Sequence, residues 1–308
     1  MTGPEPHPEL SAWVARTTGG ARVVRRTARP PAGGSVSGLV EAVTLHLSGG
    51  RDAPGTVRVV RKRASAHEAA GLETAQAVRQ RAPAVPELIA RGEDADGTWL
   101  ITPYLPGAPM PDRGTAAPDR LFVSPAHLHA RFRGAERVPA GLPRVDPRWW
   151  RELCRQWVVP GLERQRAKLP GDTLARAVET AGRAALHPGV RRTSERLPRT
   201  LLHGDVHPGN VLVDGRRARP IDWDSCRVGP ALLDLANLVA PGSRSFGVHR
   251  QAWEHITGKT LDIGTTELGR RWAELQTCVQ YLPWTAGNRT AAEVEAAVGR
   301  AERALDGL

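Results

Sequence analysis

At 308 residues with 40% hydrophobic content, the chain is long enough for two modest domains or one large two-lobed unit with a full apolar core. Its three cysteines, Cys154, Cys226 and Cys278, lie far apart without a C-x-x-C pairing, which excludes a disulfide scaffold or zinc ribbon and suits a reducing cytoplasm. The formal charge of +11 is carried by scattered arginines, without aromatic interleaving or a dense basic block, so a solvated Arg-rich surface is expected and no nucleic-acid partner. The start MTGPEPHPEL has no basic region ahead of an apolar run, and no stretch of about 18 apolar residues occurs, so neither secretion nor a membrane span is expected. Only three of the 43 basic residues are lysines, Lys62, Lys168 and Lys259, so each retained lysine stands out.

A short amphipathic helix is expected around Leu10 to Ala15. Strand-type text follows over Ala21–Val24, Val36–Leu47 and Thr56–Val60, which reads as an antiparallel meander. The turn Gly33-Gly34-Ser35-Val36-Ser37-Gly38 between the first two strands allows backbone N–H groups to approach an anion closely, and equally serves a plain hairpin. Ser65 and Glu68 form an S-x-x-E capping box that opens a helix to about Arg81. A strand over Thr98–Thr102 precedes the clearest composition break, the Pro- and Gly-rich segment Pro103–Pro118, where the domain boundary is placed.

Beyond it the pattern turns helical over Pro125–Arg133, Asp146–Val158 and Asp172–Leu186, with Asp146 as N-cap and Pro147 at the first helical position. Trp150, Cys154 and Trp157 recur at helical spacing and are read as core. Val211–Val213 and Ala218–Ile221 form a hairpin around Asp214-Gly215. Helices resume from Pro230 to the end, the last opened by a capping box of Thr290 and Glu293 with Val294, Val298, Ala301 and Leu305 as its buried stripe.

The chemistry concentrates between Leu201 and Leu238. His203, Asp205 and Asn210 stand in an H-x-D-x-x-x-x-N spacing, with Asp222 twelve residues later. An aspartate can orient an acceptor hydroxyl and take its proton, while an amide oxygen and a second carboxylate are hard ligands suited to Mg²⁺. Phosphoryl transfer needs chiefly positioning and charge neutralisation, so few but fixed residues suffice. Two other patterns compete. Gly258-Lys259-Thr260 looks like the end of a P-loop, but the upstream glycine it requires falls on Trp253. His203-x-Asp205-x-His207 would align three metal ligands on a strand, the site of a metal-dependent hydrolase; Pro208-Gly209 argues for a loop instead, and that reading leaves Asn210, Asp222 and Lys62 idle.

The H-G-D-x-x-x-x-N and I-D-W-D segments, with Gly229-Pro230 and Asp234 after them, resemble the aminoglycoside phosphotransferase family, relatives of choline and fructosamine kinases with a protein-kinase-like fold. The resemblance implies that Asp205 is the catalytic base, that Asn210 and Asp222 bind magnesium, and that Asp234 and His203 support the catalytic loop. Ala126 to Phe132 looks like the helix preceding that loop, and Leu100 to Gly107 like the inter-lobe hinge. A lysine on the third strand would hold the ATP phosphates and pair with a helix glutamate. Lys62 fits, with Arg61 the alternative under a one-residue register slip. Glu68 is its preferred partner over Glu73, since Leu72 follows one turn on. Gly33, Gly34 and Ser35, with Pro103, Tyr104 and Leu105 of the hinge, complete the expected ATP site.

The expected architecture is α+β and bilobal. Residues 1–102 form a small nucleotide-binding lobe with a five-stranded antiparallel sheet and one helix; residues 103–107 form the hinge; residues 108–308 form a larger, mainly helical catalytic and substrate lobe. ATP and Mg²⁺ are the expected cofactors, and the acceptor a hydroxyl of a small molecule: an aminoglycoside or other antibiotic, an amino-alcohol or a sugar-like compound. A catalytically silent kinase fold used as a binding module is the remaining reading, although every expected polar position is filled. The charge bears on the acceptor, because polycations favour acidic clefts and this chain is basic. Trp272, Tyr281 and Trp284 are candidates for stacking on a ring or for core packing.

Overall fold

The computed structural model describes residues 7–29, 40–50, 54–82, 84–110, 119–215, 217–236, 238 and 244–308. Helix α1 (Pro8–Thr17) leads into strands β1 (Arg22–Arg29), β2 (Val40–Ser48) and β3 (Thr56–Arg63), then helix α2 (Ala66–Ala75) and strands β4 (Ala90–Asp94) and β5 (Gly97–Pro103). The strands form one antiparallel five-stranded sheet in the order β1-β2-β3-β5-β4. Strand β4, sequence ARGED, is the one the sequence does not mark: it is short and largely charged, and carries the edge of the sheet.

Alternation divides the two faces of this sheet. Val43, Leu45, Val59 and Ile101 pack with Leu10, Trp13 and Val14 of α1. The opposite face presents Leu100 to α2 and to the second half of the chain, in a core shared by Leu72, Leu128, Leu201, Trp223 and Val228. Lys62 pairs in register with Leu100, so the strand carries it to this second face. Helix α2 ends earlier than the expected Arg81, passing into a 3-10 turn over Gln76–Val78. The Gln76 amide donates to the carbonyls of Leu72 and Pro86 and accepts from Leu88 N, tying the helix end to the loop that follows.

After β6 (Ala108–Pro109) the chain is helical: α3 (Arg120–Arg131), α4 (Pro147–Glu152), a π-helical stretch (Leu153–Val158), α5 (Val159–Glu163), α6 (Gly171–Leu186) and α7 (Pro188–Arg196). Helix α3 begins before the expected Pro125 and carries that proline in its interior. Leu121 and Phe122 are fully buried, and their burial offsets the hydrogen bond that proline removes. Asp146 caps α4 as expected, accepting from Trp149 N at 2.7 Å. The expected core position Trp157 is 69% exposed, because the wider π-helical turn shifts the phase and brings Val158 inward behind Trp150 and Cys154.

A two-stranded ladder of β7 (Arg199–Leu202) and β10 (Arg227–Pro230) brackets the expected hairpin, β8 (Val211–Asp214) and β9 (Arg217–Pro220), which pairs with β6. Helices α8 (Leu233–Ala236), α9 (Arg244–Thr257), α10 (Ile263–Gln280), α11 (Leu282–Asn288) and α12 (Ala291–Asp306) complete the chain. Thr290 and Glu293 form the full reciprocal capping box of α12, and Val294, Val298, Ala301 and Leu305 are buried as its periodicity requires. Among the described residues no helix is long and apolar enough to cross a membrane.

Candidate active site

Strand β7, with Leu201 and Leu202 fully buried, delivers the chain to His203 and Gly204 at the base of a cleft. Asp234, at the start of α8, holds this turn from beneath: its carboxylate accepts from the backbone N–H of His203 at 2.9 Å and of Gly204 at 2.8 Å, and from His129 Nε2 at 3.2 Å. Burial opposes this buried charge, but the hydrogen bonds and the neighbouring imidazoles outweigh it and keep the Asp234 carboxyl below its ordinary pKa. Gly204 has φ +87°, and a Cβ there would lie 2.1 Å from the Ser225 carbonyl, so only glycine fits. The buried Arg227 donates to the Gly204 carbonyl and closes the turn from β10.

The His203 ring is fixed at both nitrogens. Nε2 donates to the Ile221 carbonyl at 3.0 Å, and Nδ1 accepts from Asp205 N at 3.4 Å. Burial lowers its pKa, consistent with a neutral imidazole that ties the Asp205 loop to the segment before Asp222. With both nitrogens engaged, His203 does not converge with Asp205 and His207, and among the described residues no group of three His, Cys, Asp or Glu side chains could hold a metal ion. His207 instead accepts from Gly209 N at 3.1 Å, shaping the 3-10 turn Pro208–Asn210.

The Asp205 carboxylate is held from two sides. Asn210 Nδ2 donates to its Oδ2 at 3.2 Å and to its backbone carbonyl at 3.1 Å, while the Tyr281 hydroxyl donates to Oδ1. Burial, then the Asp205 charge, pushes the Tyr281 phenol up, so it stays a donor. Because the Asn210 nitrogen turns to Asp205, its amide oxygen remains available, and the Ile221 N–H to Asn210 carbonyl bond at 2.8 Å sets that residue beside the Asp222 segment. Asp222 has φ +64°, a conformation that aspartate tolerates better than most side chains. The next residues, Trp223–Ser225, form a 3-10 turn whose indole is buried against the His203 ring at 4.9 Å.

Across the cleft, Lys62 Nζ lies 2.8 Å from Glu68 Oε1 and 2.6 Å from Asp222 Oδ1. Burial lowers the ammonium's pKa, but the two carboxylates more than restore it, giving a net upward shift. Asp222 shifts down, Lys62 overriding the effect of burial; burial pushes Glu68 up against the same lysine. Ser65 accepts from Glu68 N at 3.1 Å, yet the Glu68 carboxylate turns to Lys62 and does not close a reciprocal box. Glu73 pairs with Arg91 at 2.9 Å, and Arg61 with Asp94 and Glu41, so neither competing assignment reaches the cleft.

At the expected hinge, Pro103 ends β5, Tyr104 N donates to the Arg58 carbonyl at 3.1 Å, and the Arg58 guanidinium stacks 3.6 Å from the Tyr104 ring centre. Leu105 follows, half-buried. Gly33, Gly34 and Ser35 lie outside the described residues. Beside Asp205 opens a cavity of about 940 Å³, bounded by Pro208, Leu235, Phe246, Tyr281 and Trp284. Of the aromatic candidates, Trp272 is fully buried against Trp150, while Tyr281 and Trp284 face this cavity. Sequence reasoning missed the Tyr281 contact with Asp205, the Arg227 brace and the His249–His129–Asp234 chain. Each joins residues remote in the chain, and only the His129 helix carried a local signal.

A comparison with curated proteins found no match. Among solved structures, the chain is similar to a choline kinase from Cryptosporidium parvum Iowa II, at 12% identity and a TM-score of 0.58 over 91% of this chain and 88% of that one. It is also similar to an aminoglycoside phosphotransferase from Alicyclobacillus acidocaldarius, at 16% identity and a TM-score of 0.51 over 99% and 94% of the two chains. A macrolide 2'-phosphotransferase from Brachybacterium faecium matches at 20% identity and a TM-score of 0.49 over 94% and 97%. The first two likenesses identify the fold as protein-kinase-like. The model of the phosphotransferase enzyme family matches residues 13–266, which is most of the chain, so the chain belongs to that family and is an enzyme of the small-molecule kinase type.

Proposed function

We propose that the protein transfers the γ-phosphoryl group of ATP to a hydroxyl of a small molecule. The observation that carries this reading is the convergence at Lys62, which joins Glu68 of α2 to Asp222 beside the Asp205–Asn210 loop. In this reading Lys62 is the phosphate-binding cation, Asn210 and Asp222 are the hard-oxygen metal ligands and Asp205 is the carboxylate base of one cleft. Residues 1–102 would hold the nucleotide, residues 103–107 act as hinge and residues 108–308 supply catalysis and the acceptor site. Gly33, Gly34 and Ser35 would cover the phosphates, and Pro103, Tyr104 and Leu105 would border the base.

Asp205 accepts the acceptor's hydroxyl proton as its oxygen bonds to the γ-phosphorus, while the bond from that phosphorus to the β–γ bridging oxygen breaks and ADP departs. Tyr281 and Asn210 orient the carboxylate, and Asp234 with His203 holds the loop beneath it. The free amide oxygen of Asn210 and the Asp222 carboxylate, both hard donors, fit Mg²⁺. When bound there, the ion neutralises phosphate charge.

A hydroxyl-acceptor panel with ADP formation as readout tests this proposal. Acceptor-dependent ADP release that EDTA abolishes and Mg²⁺ restores is expected. Activity restored by Zn²⁺ alone, or nucleotide binding without turnover over a broad panel, would contradict it.

A further inference from the structure

The cavity beside Asp205 also bears on the chemical class of the acceptor, given the phosphotransfer reading above. Among the described residues its walls carry three carboxylates, Asp205, Glu274 and Glu293, against three guanidiniums, Arg270, Arg289 and Arg300. The balance is even in number but not in availability. Glu274 lies 3.1 Å from Arg270, whose other bonds go to Glu267 at 2.7 and 2.9 Å. Glu293 accepts from the Thr290 backbone N–H and hydroxyl, each at 2.9 Å, as the cap of α12. Asp205 is bound by Tyr281 and Asn210.

The two remaining guanidiniums form no ion pair among the described residues. Arg289 lies over the Trp284 ring, 5.4 Å from its centre; the Thr290 hydrogen bonds lower the Glu293 pKa, and the Arg289 charge adds to this without an ion pair forming among the described residues. Arg300 has no carboxylate within ion-pairing distance among the described residues, and sits about 10 Å along the α12 axis from Glu293 on the cavity side. The cavity also has apolar lining, Leu232, Leu235, Leu238 and Phe246, with the Trp284 ring beneath Arg289. A polycation entering here would meet two guanidiniums without ion-pair partners among the described residues, and carboxylates whose oxygens already accept hydrogen bonds. An amphipathic molecule would bury its apolar body on the leucines and aromatics and offer an anion to the arginines. A volume near 940 Å³ admits a molecule of natural-product size.

We infer that the acceptor is an amphipathic hydroxyl compound with an apolar body and an anionic substituent, such as a carboxylate, seated on Arg289 and Arg300.

The test is calorimetric titration of the full-length protein without nucleotide, using three probes: N-decanoyl-serine (anionic), N-decanoyl-ethanolamine (neutral) and kanamycin (polycationic). The anionic probe should bind about tenfold or more tightly than the neutral one, as expected for a charge-assisted hydrogen bond. Kanamycin should bind least tightly. Arg289→Ala with Arg300→Ala should bring the two acylated probes within about twofold, while Arg300→Lys should keep the preference. An anionic probe that binds no better than the neutral one, or not at all, overturns the assignment. So does tightest binding of kanamycin, or an anion preference that survives removal of both arginines. ATP turnover is measured separately: a charge preference without turnover upholds this inference and fails the phosphotransfer reading alone.

Discussion

Asp205 presents its carboxylate to the cavity with both oxygens already oriented, one by Asn210 and one by Tyr281. In the proposed reaction this orientation fixes where the carboxylate takes a proton, which makes Asp205 the sharpest residue-scale test. Asp205→Ala should lower turnover by roughly 10²- to 10⁴-fold with an unchanged melting temperature; near-normal turnover would remove the base assignment. The pairing across the cleft gives a second test with an internal control. Glu68→Gln should lower kcat/KM for ATP by about ten- to a hundredfold, because it loosens Lys62, whereas Glu73→Gln should stay within about twofold, because Glu73 pairs with Arg91 outside the cleft. Steady-state kinetics on the two variants decide it, and equal losses would contradict the assignment.

Helix α2 reaches the site through the turn after Asp222. Ser65 donates to the Asp224 carboxylate at 2.9 Å, His67 donates to the Asp224 carbonyl at 2.7 Å, and a Cβ on Gly71 would lie 2.1 Å from Cys226 Sγ. The sheet half and the helical half therefore meet through close packing, with no room between α2 and Cys226. Gly71→Ala should destabilise by about 1–3 kcal/mol through overpacking, although helix propensity alone favours alanine. Gly182→Ala in α6, where nothing lies within 4 Å, should instead stabilise by about 0.5–1 kcal/mol. Thermal melts of the pair should shift in opposite directions.

At this scale the caps and hairpins were legible because their signals are local: Ser65, Asp146, Thr290 and Asp214-Gly215 all act within four residues. The π-helical stretch was not, since its phase shift is set by packing of Trp150, Cys154, Val158 and Leu162 in the C-terminal core. Nor was the early start of α3, which depends on Leu121 and Phe122 finding a buried place.

Across the whole molecule the same division holds. The proposed catalytic loop reads from the sequence because Asp205, Asn210 and Asp222 are joined by one hairpin, and Lys62 because lysine is rare in this chain and strand parity sets its face. Tyr281, Arg227 and His249 act over long sequence separations that no periodicity encodes. His249 illustrates the energetic consequence. It is buried 3.1 Å from His129, which in turn binds Asp234, and burial, with the neighbouring imidazole adding to it, pushes its pKa down to about 3. Below the ordinary value near 6.5, the unfolded chain binds a proton that the folded one refuses, so stability falls as pH drops from about 6.5 towards 3. His249→Phe should flatten the dependence of unfolding free energy on pH between about 6.5 and 5, by up to about 1.4 kcal/mol per pH unit. Denaturant titrations over that range measure the slope, and an unchanged slope would show that His249 does not contribute.

A cleft in which Lys62, Asp222 and Asp205 move a phosphoryl group onto a hydroxyl must leave that group on the acceptor. Phosphorus-31 NMR of the protein with ATP, Mg²⁺ and an acceptor that supports ADP formation reads this transfer. A new phosphate-monoester resonance on the acceptor should rise in step with ADP and be absent with Asp205→Ala. Inorganic phosphate as the sole product, formed at the same rate with and without Asp205, would contradict it.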